Sequence, residues 1–290
     1  MQRVYKWNDL EPIEGKYDVN MIRRDLEALA RVNKRLIVQI DAKSNRDGQV
    51  FVPSYLLKPQ YEGGVYKCTT VGNNAAYWNK GVQARMIALV KELGRQLNDH
   101  PSLEAVNFEE TSPSNNNPEW VRTYMEGYLQ GMENVVMAAR EAFPNTVVIQ
   151  YINWPVKPLP AMVERFRSAR IGVGGPDVLV EDDGLIRGSY PVIQGVAGQV
   201  PIGMAVQYDN YSQKSDNKKH APPGIAALHQ FALDKLKANY IFWLRRVREP
   251  ANNSDYYADL RRYFDTLDWV ADPAGGLETR CPTVFSRCME

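Results

Sequence analysis

The sequence predicts an α/β barrel of the (β/α)8 type, formed as one domain over residues 1–290, with seven of its strands identifiable. Three observations predict it. Short apolar runs alternate with amphipathic helical segments along the whole chain, the pattern of repeated βα units around a parallel sheet. The 290 residues suit one barrel of about 250. No linker rich in Gly, Ser or Pro divides them.

The strand-like runs are Arg3 to Trp7, Leu36 to Asp41, Glu104 to Glu109, Thr146 to Trp154, Ile171 to Val180, Ile202 to Asp209 and Tyr240 to Arg245. The helical segments between and after them are Val19 to Val32, Lys80 to Leu97, Glu119 to Phe143, Leu159 to Ser168, a weaker one from Leu185 to Gln199, Gly224 to Ala238, and Ser254 to Val270. Asp18, Pro118, Pro160 and Pro223 stand where caps or first-turn residues are expected. Two long connections, Ala42 to Asn79 and Asn210 to Pro223, follow strands and so belong to the carboxyl-end face, where barrel enzymes build their sites. Seven strands are one fewer than closure needs, and Thr283 to Phe285 is a weak candidate for a substitute.

Composition narrows the function classes. With 44% hydrophobic and 24% charged residues the chain is an ordinary globular one. A net charge of +1 gives no long-range attraction for a polyanion, so nucleic acid is not an expected partner. No stretch approaches the roughly 18–20 apolar residues of a membrane span, and residues 1–20 hold no apolar signal core. Cys68, Cys281 and Cys288 lack zinc-site spacing; the last two could close a small loop under oxidising conditions and would stay thiols in a reducing cytosol. His100, His220 and His229 stand beside no nucleophile motif, so Ser-His or Cys-His catalysis has little support. No metal or cofactor is implied, and oligomeric state is not legible.

Side chains alternate across a strand, so each run splits into two faces. Leu36, Val38 and Ile40 should face helices, with Gln39 and Asp41 toward the barrel axis. Val106 and Phe108 should face outward, with Asn107 and Glu109 inward and Glu110 at the turn beyond. Ala205, Gln207 and Asp209 share one face; Trp243 and Arg245 share another. Polar groups thus gather at the carboxyl ends of the strands, where burial is costly unless partners or a ligand satisfy them. Glycoside cleavage needs two carboxylates on facing walls, and Glu109 or Glu110 opposite Asp209 would supply them. Glu181, Asp182 and Asp183 read as a solvated acidic loop. The glycines of Ile171–Pro176 match a phosphate loop poorly and read as a place of close backbone approach.

Tyr5-Lys6-Trp7-Asn8-Asp9-Leu10-Glu11-Pro12, followed by Glu14-Gly15-Lys16-Tyr17-Asp18, resembles the W-x-x-L-E-P-x-x-G-x-Y-D segment of clan A glycoside hydrolases, including β-galactosidase-like barrels. That segment follows the second barrel strand of the family. Lys34 to Ile40 resembles the third strand, and Val106-Asn107-Phe108-Glu109-Glu110-Thr111 is similar to the fourth, which carries the acid/base glutamate. The resemblance implies that the first strand is missing from this sequence, so an upstream region could hold a secretion signal and location stays open. It favours Glu110 as acid/base, whereas alternation favours Glu109. Where the family's nucleophile should stand, Val206-Gln207-Tyr208-Asp209 offers only Asp209.

The expected function is therefore cleavage of a β-linked oligo- or polysaccharide by a retaining, two-carboxylate mechanism, the partner being a carbohydrate. Trp7, Trp78, Tyr151, Trp154, Tyr208 and Trp243 would offer stacking faces, with Trp243 matching a tryptophan that floors the family's sugar subsite. Gln39, Asp41, Asn107, Asn153 and Gln207 would bind hydroxyls, and Arg245 shares the Trp243 face. The main rival is a noncatalytic carbohydrate-binding barrel. An aldolase-type barrel would want a buried lysine, and Lys6 is the only lysine inside a run.

Overall fold

The computed structural model describes residues 1–207, 210–211, 223–244 and 256–267. Seven parallel strands form one curled sheet in the order β1 (Gln2–Lys6), β2 (Leu36–Asp41), β5 (Leu103–Phe108), β6 (Val147–Tyr151), β7 (Gly172–Gly175), β8 (Ile202–Val206) and β9 (Tyr240–Trp243). The strands follow one another round the arc in sequence order, interrupted only by an antiparallel hairpin of β3 (Val65–Lys67) and β4 (Asn73–Ala75) inside the long connection after β2. The architecture is an incomplete (β/α)8 barrel. Two side-chain contacts span its concave face: Gln2 Nε2 donates to the Tyr151 hydroxyl at 2.9 Å, and the Tyr240 hydroxyl donates to Glu104 Oε1 at 2.8 Å.

Alternation sorts the core as the sequence implies. Ile37, Ala105, Val147, Ile149, Tyr151 and Ala205 are buried together on the inner face. Leu36, Val38, Ile40, Val106, Phe108, Met204 and Val206 join the larger outer core beneath the helices. Those helices are α1 (Trp7–Leu10), α2 (Asn20–Ala30), α3 (Lys80–Leu97), α4 (Pro118–Ala142), α5 (Leu159–Ser168), α6 (Asp183–Arg187), α7 (Ser189–Gln194), α8 (Ile225–Asp234) and α9 (Tyr256–Phe264). In α3, Val82, Met86, Leu89, Val90, Leu93 and Leu97 recur at helical spacing and are buried. Its start is set by Asn79, whose Oδ1 accepts from Gly81 N at 2.9 Å and Val82 N at 3.2 Å. Asn117 caps α4 in the same way, ahead of Pro118 in the first turn.

Several expected elements end differently; the run Thr146 to Trp154, for one, is strand only over Val147–Tyr151. The run Ile171 to Val180 stops pairing at Gly175, since Pro176 has no N–H for the ladder. The weak helix Leu185 to Gln199 is two short helices broken at Gly188. Thr283 to Phe285, Cys281 and Cys288 lie outside the described residues. Cys68 is a buried free thiol. Among the described residues, no helix is long and apolar enough to cross a membrane.

Helices α3 and α4 approach closely because glycines sit at the contact. A β-carbon on Gly94 would lie 2.3 Å from the Ala142 carbonyl oxygen, and one on Gly131 3.0 Å from the Gln83 side chain of α3 and 2.0 Å from the carbonyl oxygen of Tyr77, just ahead of α3. Backbone cannot yield as a flexible side chain can. Gly94→Ala is therefore expected to cost about 1–3 kcal/mol, read as a lowered urea midpoint with an unchanged slope.

Candidate functional site

Strand register brings the polar residues together. Lys6 of β1 pairs with Asp41, Ile40 of β2 with Phe108, and Phe108 of β5 with Gln150, so the carboxyl ends of β1, β2, β5 and β6 come level. Asp41, Glu109 and Asn153 emerge there as neighbours. The connection after β2 adds Lys43, whose side chain is only 3% exposed.

Glu109 and Glu110 diverge as adjacent residues must. The Glu109 carboxylate turns toward the end of β2 and accepts backbone hydrogen bonds from Ala42 N at 3.3 Å and Lys43 N at 3.0 Å. It is buried, at 7% exposure. Burial pushes its acid well above the usual carboxylate range, the Asp41 charge pushes the same way, and Lys43 and the Ala42 N–H oppose both. Glu110 reaches further out, with 22% of its side chain exposed. One of its oxygens is paired with the Lys43 ammonium, and Asn153 Nδ2 donates to the other. Lys43 Nζ also donates to the Ser112 carbonyl at 3.1 Å, and Asn153 Oδ1 accepts from Ser112 N at 3.1 Å. The outer carboxylate is thereby fixed from two sides.

Asp41 accepts from Gln39 Nε2 at 2.9 Å. Burial pushes its acid up to about 6; the Gln39 hydrogen bond and the Lys43 charge work against this, and Glu110 adds to it. Because the folded value lies above the unfolded one, near 4, the contribution of Asp41 to stability is full below about pH 4 and is lost as pH rises to about 6. Asp41→Asn removes that loss. Relative to the unaltered protein it is expected to gain about 2–3 kcal/mol between pH 4 and pH 7, measured by urea unfolding at each pH.

The remaining sequence-derived candidates divide. Trp154 directly follows Asn153 and is 42% exposed, so its ring is open at the mouth. Asn107 is fully buried on the inner face of β5, its amide directed at the neighbouring Tyr151 hydroxyl. Tyr151 is buried inward, with its hydroxyl on Gln2. Gln207 donates to the Pro176 carbonyl at 2.9 Å. Trp78 packs in an aromatic cluster with Tyr66, Trp120 and Tyr124, its indole N–H on Glu62 at 2.8 Å. Tyr208, Asp209 and Arg245 lie outside the described residues.

Two expected stacking faces are corrected. Trp7 has no exposed surface: it begins α1 as part of the core, and its indole donates to Glu11 Oε2 at 3.1 Å. The motif around it is a structural latch. Buried Glu11 also accepts from Gly15 N at 3.0 Å and pairs with Arg85 of α3, which reaches the Tyr17 hydroxyl at 2.9 Å. Trp243 faces the helices, its ring centre 6.3 Å from His229 and 5.7 Å from Phe264, because alternation on β9 turns Phe242 toward the inner face.

Three further expectations resolve. Close approach at the glycine run is made by the neighbouring strand, since a β-carbon on Gly174 would lie 1.6 Å from the Gly203 carbonyl oxygen. In the acidic loop, Asp182 caps α6 through Leu185 N at 2.8 Å. Lys6 lies over the Phe51 ring, 4.8 Å from its centre, and the lysine buried among the carboxylates is Lys43. Sequence reasoning missed Lys43, although positions 39, 41 and 43 continue one alternating face.

No protein-family model matches the chain, and no curated protein matches it. Solved structures do. The β-galactosidase from Rahnella sp. R3 superposes with a TM-score of 0.61 over 94% of this chain and 51% of its own, at 8% identity. That from the psychrophilic Marinomonas ef1 gives 0.61 over 96% and 56%, also at 8% identity. The catalytic domain of a β-amylase from Paenibacillus polymyxa gives 0.57 over 90% and 89%, at 10% identity. The chain has the fold of glycoside hydrolase barrels. It spans about half the length of the two β-galactosidases. At these identities the likeness is one of fold.

Proposed function

We propose that the protein is a glycoside hydrolase acting on a β-linked oligo- or polysaccharide, with Glu110 as acid/base and Asp209 as nucleophile in a retaining reaction. The observation that carries this reading is the fixed, partly open Glu110 at the carboxyl end of β5, held by Lys43 and Asn153 beside the exposed Trp154. In a barrel the carboxyl-end face is where the reacting groups assemble. Glu110 would protonate the leaving oxygen while Asp209 attacks the anomeric carbon; Glu110 would then take a proton from the water that releases the sugar. Gln39, Asp41, Asn107 and Asn153 supply amide and carboxyl groups for hydroxyls, and Trp154 a face for a sugar ring.

One observation favours a second reading, a carbohydrate-binding barrel without turnover: both Glu110 oxygens already have partners. A panel of chromogenic glycosides separates the two. Hydrolysis by the unaltered protein, abolished in Glu110→Gln and Asp209→Asn, supports the enzyme. Saturable sugar binding by calorimetry with no product selects the binder.

A further inference from the structure

We infer that Lys43 is the positioning residue of this site, holding Glu110 in place through a chain of contacts that runs from the buried Glu109 to the mouth. The inference rests on the glycosidase reading. The Glu109 carboxylate grips the backbone N–H groups of Ala42 and Lys43, so the point where Lys43 leaves the sheet is fixed by a group buried one layer below. From there the Lys43 side chain runs almost wholly buried, and its ammonium meets Glu110 and the Ser112 carbonyl. Ser112 in turn donates its backbone N–H to Asn153, the second partner of Glu110. Lys43 thus contributes to both supports of the outer carboxylate, directly through its ammonium and indirectly through the segment that carries Asn153's partner.

The surroundings make this ammonium hard to replace. Asp41, Glu109 and Glu110 lie close enough to act on one another electrically, as do Lys43 and the Cys68 thiol. Without Lys43 the carboxyl groups of Asp41, Glu109 and Glu110 would act on one another with no cation beside them among the described residues, and Glu110 would keep only the Asn153 amide to hold it. Surface pairs such as Arg167–Glu164 differ in kind, with both side chains substantially exposed and the two residues three apart on one helix.

A misplaced reacting group lowers turnover more than binding, because the sugar's other contacts survive. The test compares Lys43→Met and Lys43→Arg with the unaltered protein on the best glycoside of the panel. Lys43→Met is expected to lower kcat about 10²-fold with KM changed by no more than about twofold, and Lys43→Arg to recover at least about tenfold of that loss. Should Lys43→Met not fold, Lys43→Gln takes its place: a kcat lowered about tenfold or more at unchanged KM and unchanged melting temperature supports the inference, and parental kcat overturns it. A Lys43→Met variant that folds and turns over normally removes the inference and leaves the glycosidase reading standing. Absence of turnover in the unaltered protein removes both.

Discussion

Glu11→Ala is expected to destabilise the protein by about 3–5 kcal/mol, the range for breaking a buried charged pair by removing one partner. Glu11 has no exposed surface, and its two oxygens satisfy three donors: the Trp7 indole, the Gly15 backbone and the Arg85 guanidinium. Arg85 also reaches the Tyr55 hydroxyl at 3.2 Å and the Tyr17 hydroxyl at 2.9 Å. The loss therefore leaves a guanidinium without its carboxylate in a part-buried site, and two neutral donors without acceptors. Glu11→Gln should cost less, since its amide oxygen can still accept from one of them. Urea denaturation near neutral pH measures both. A change below about 1 kcal/mol for Glu11→Ala would put the pair in the class of exposed salt bridges and contradict the latch.

The largest expected effect on activity is that of Glu110→Gln. Loss of a general acid costs about 10²–10⁴-fold, or roughly 3–5 kcal/mol in the barrier. The loss should depend on the leaving group. A glycoside with an unactivated alkyl leaving group needs protonation as its bond breaks, so its hydrolysis should fall through that whole range. A dinitrophenyl glycoside departs without a proton, and its first chemical step should be nearly unaffected. Pre-steady-state release of the dinitrophenolate then shows a burst in Glu110→Gln, followed by slow turnover while water attacks without its base. Equal loss on both substrates would assign Glu110 to binding.

The fold was legible residue by residue where the signal is local. Leu36–Asp41, Lys80–Leu97 and Leu159–Ser168 have the bounds their patterns imply, because alternation and helical spacing are properties of contiguous residues. The inward placement of Asn107 and the outward placement of Val106 and Phe108 follow from the same rule. Trp243 shows how a family resemblance can override that rule to its cost: parity with the apolar Ile241 already argued for the helix side, where the ring stands. The burial of Trp7 has no local signal, because its indole N–H finds Glu11 only once the chain turns four residues later, and the carboxylate is then held by Arg85, 74 residues away.

The sequence alone determined the order of the elements, the parallel arc they build and the face on which each strand residue lies, since these depend on neighbours one to four positions apart. Tertiary structure decided the rest. Glu110 rather than Glu109 opens to the mouth, and Lys43 is buried beside it, because β2 and β5 are adjacent and the ends of both strands curl toward one point. Contacts made across 66 and 67 residues have no periodicity for a sequence to display; only the closing of the sheet creates them.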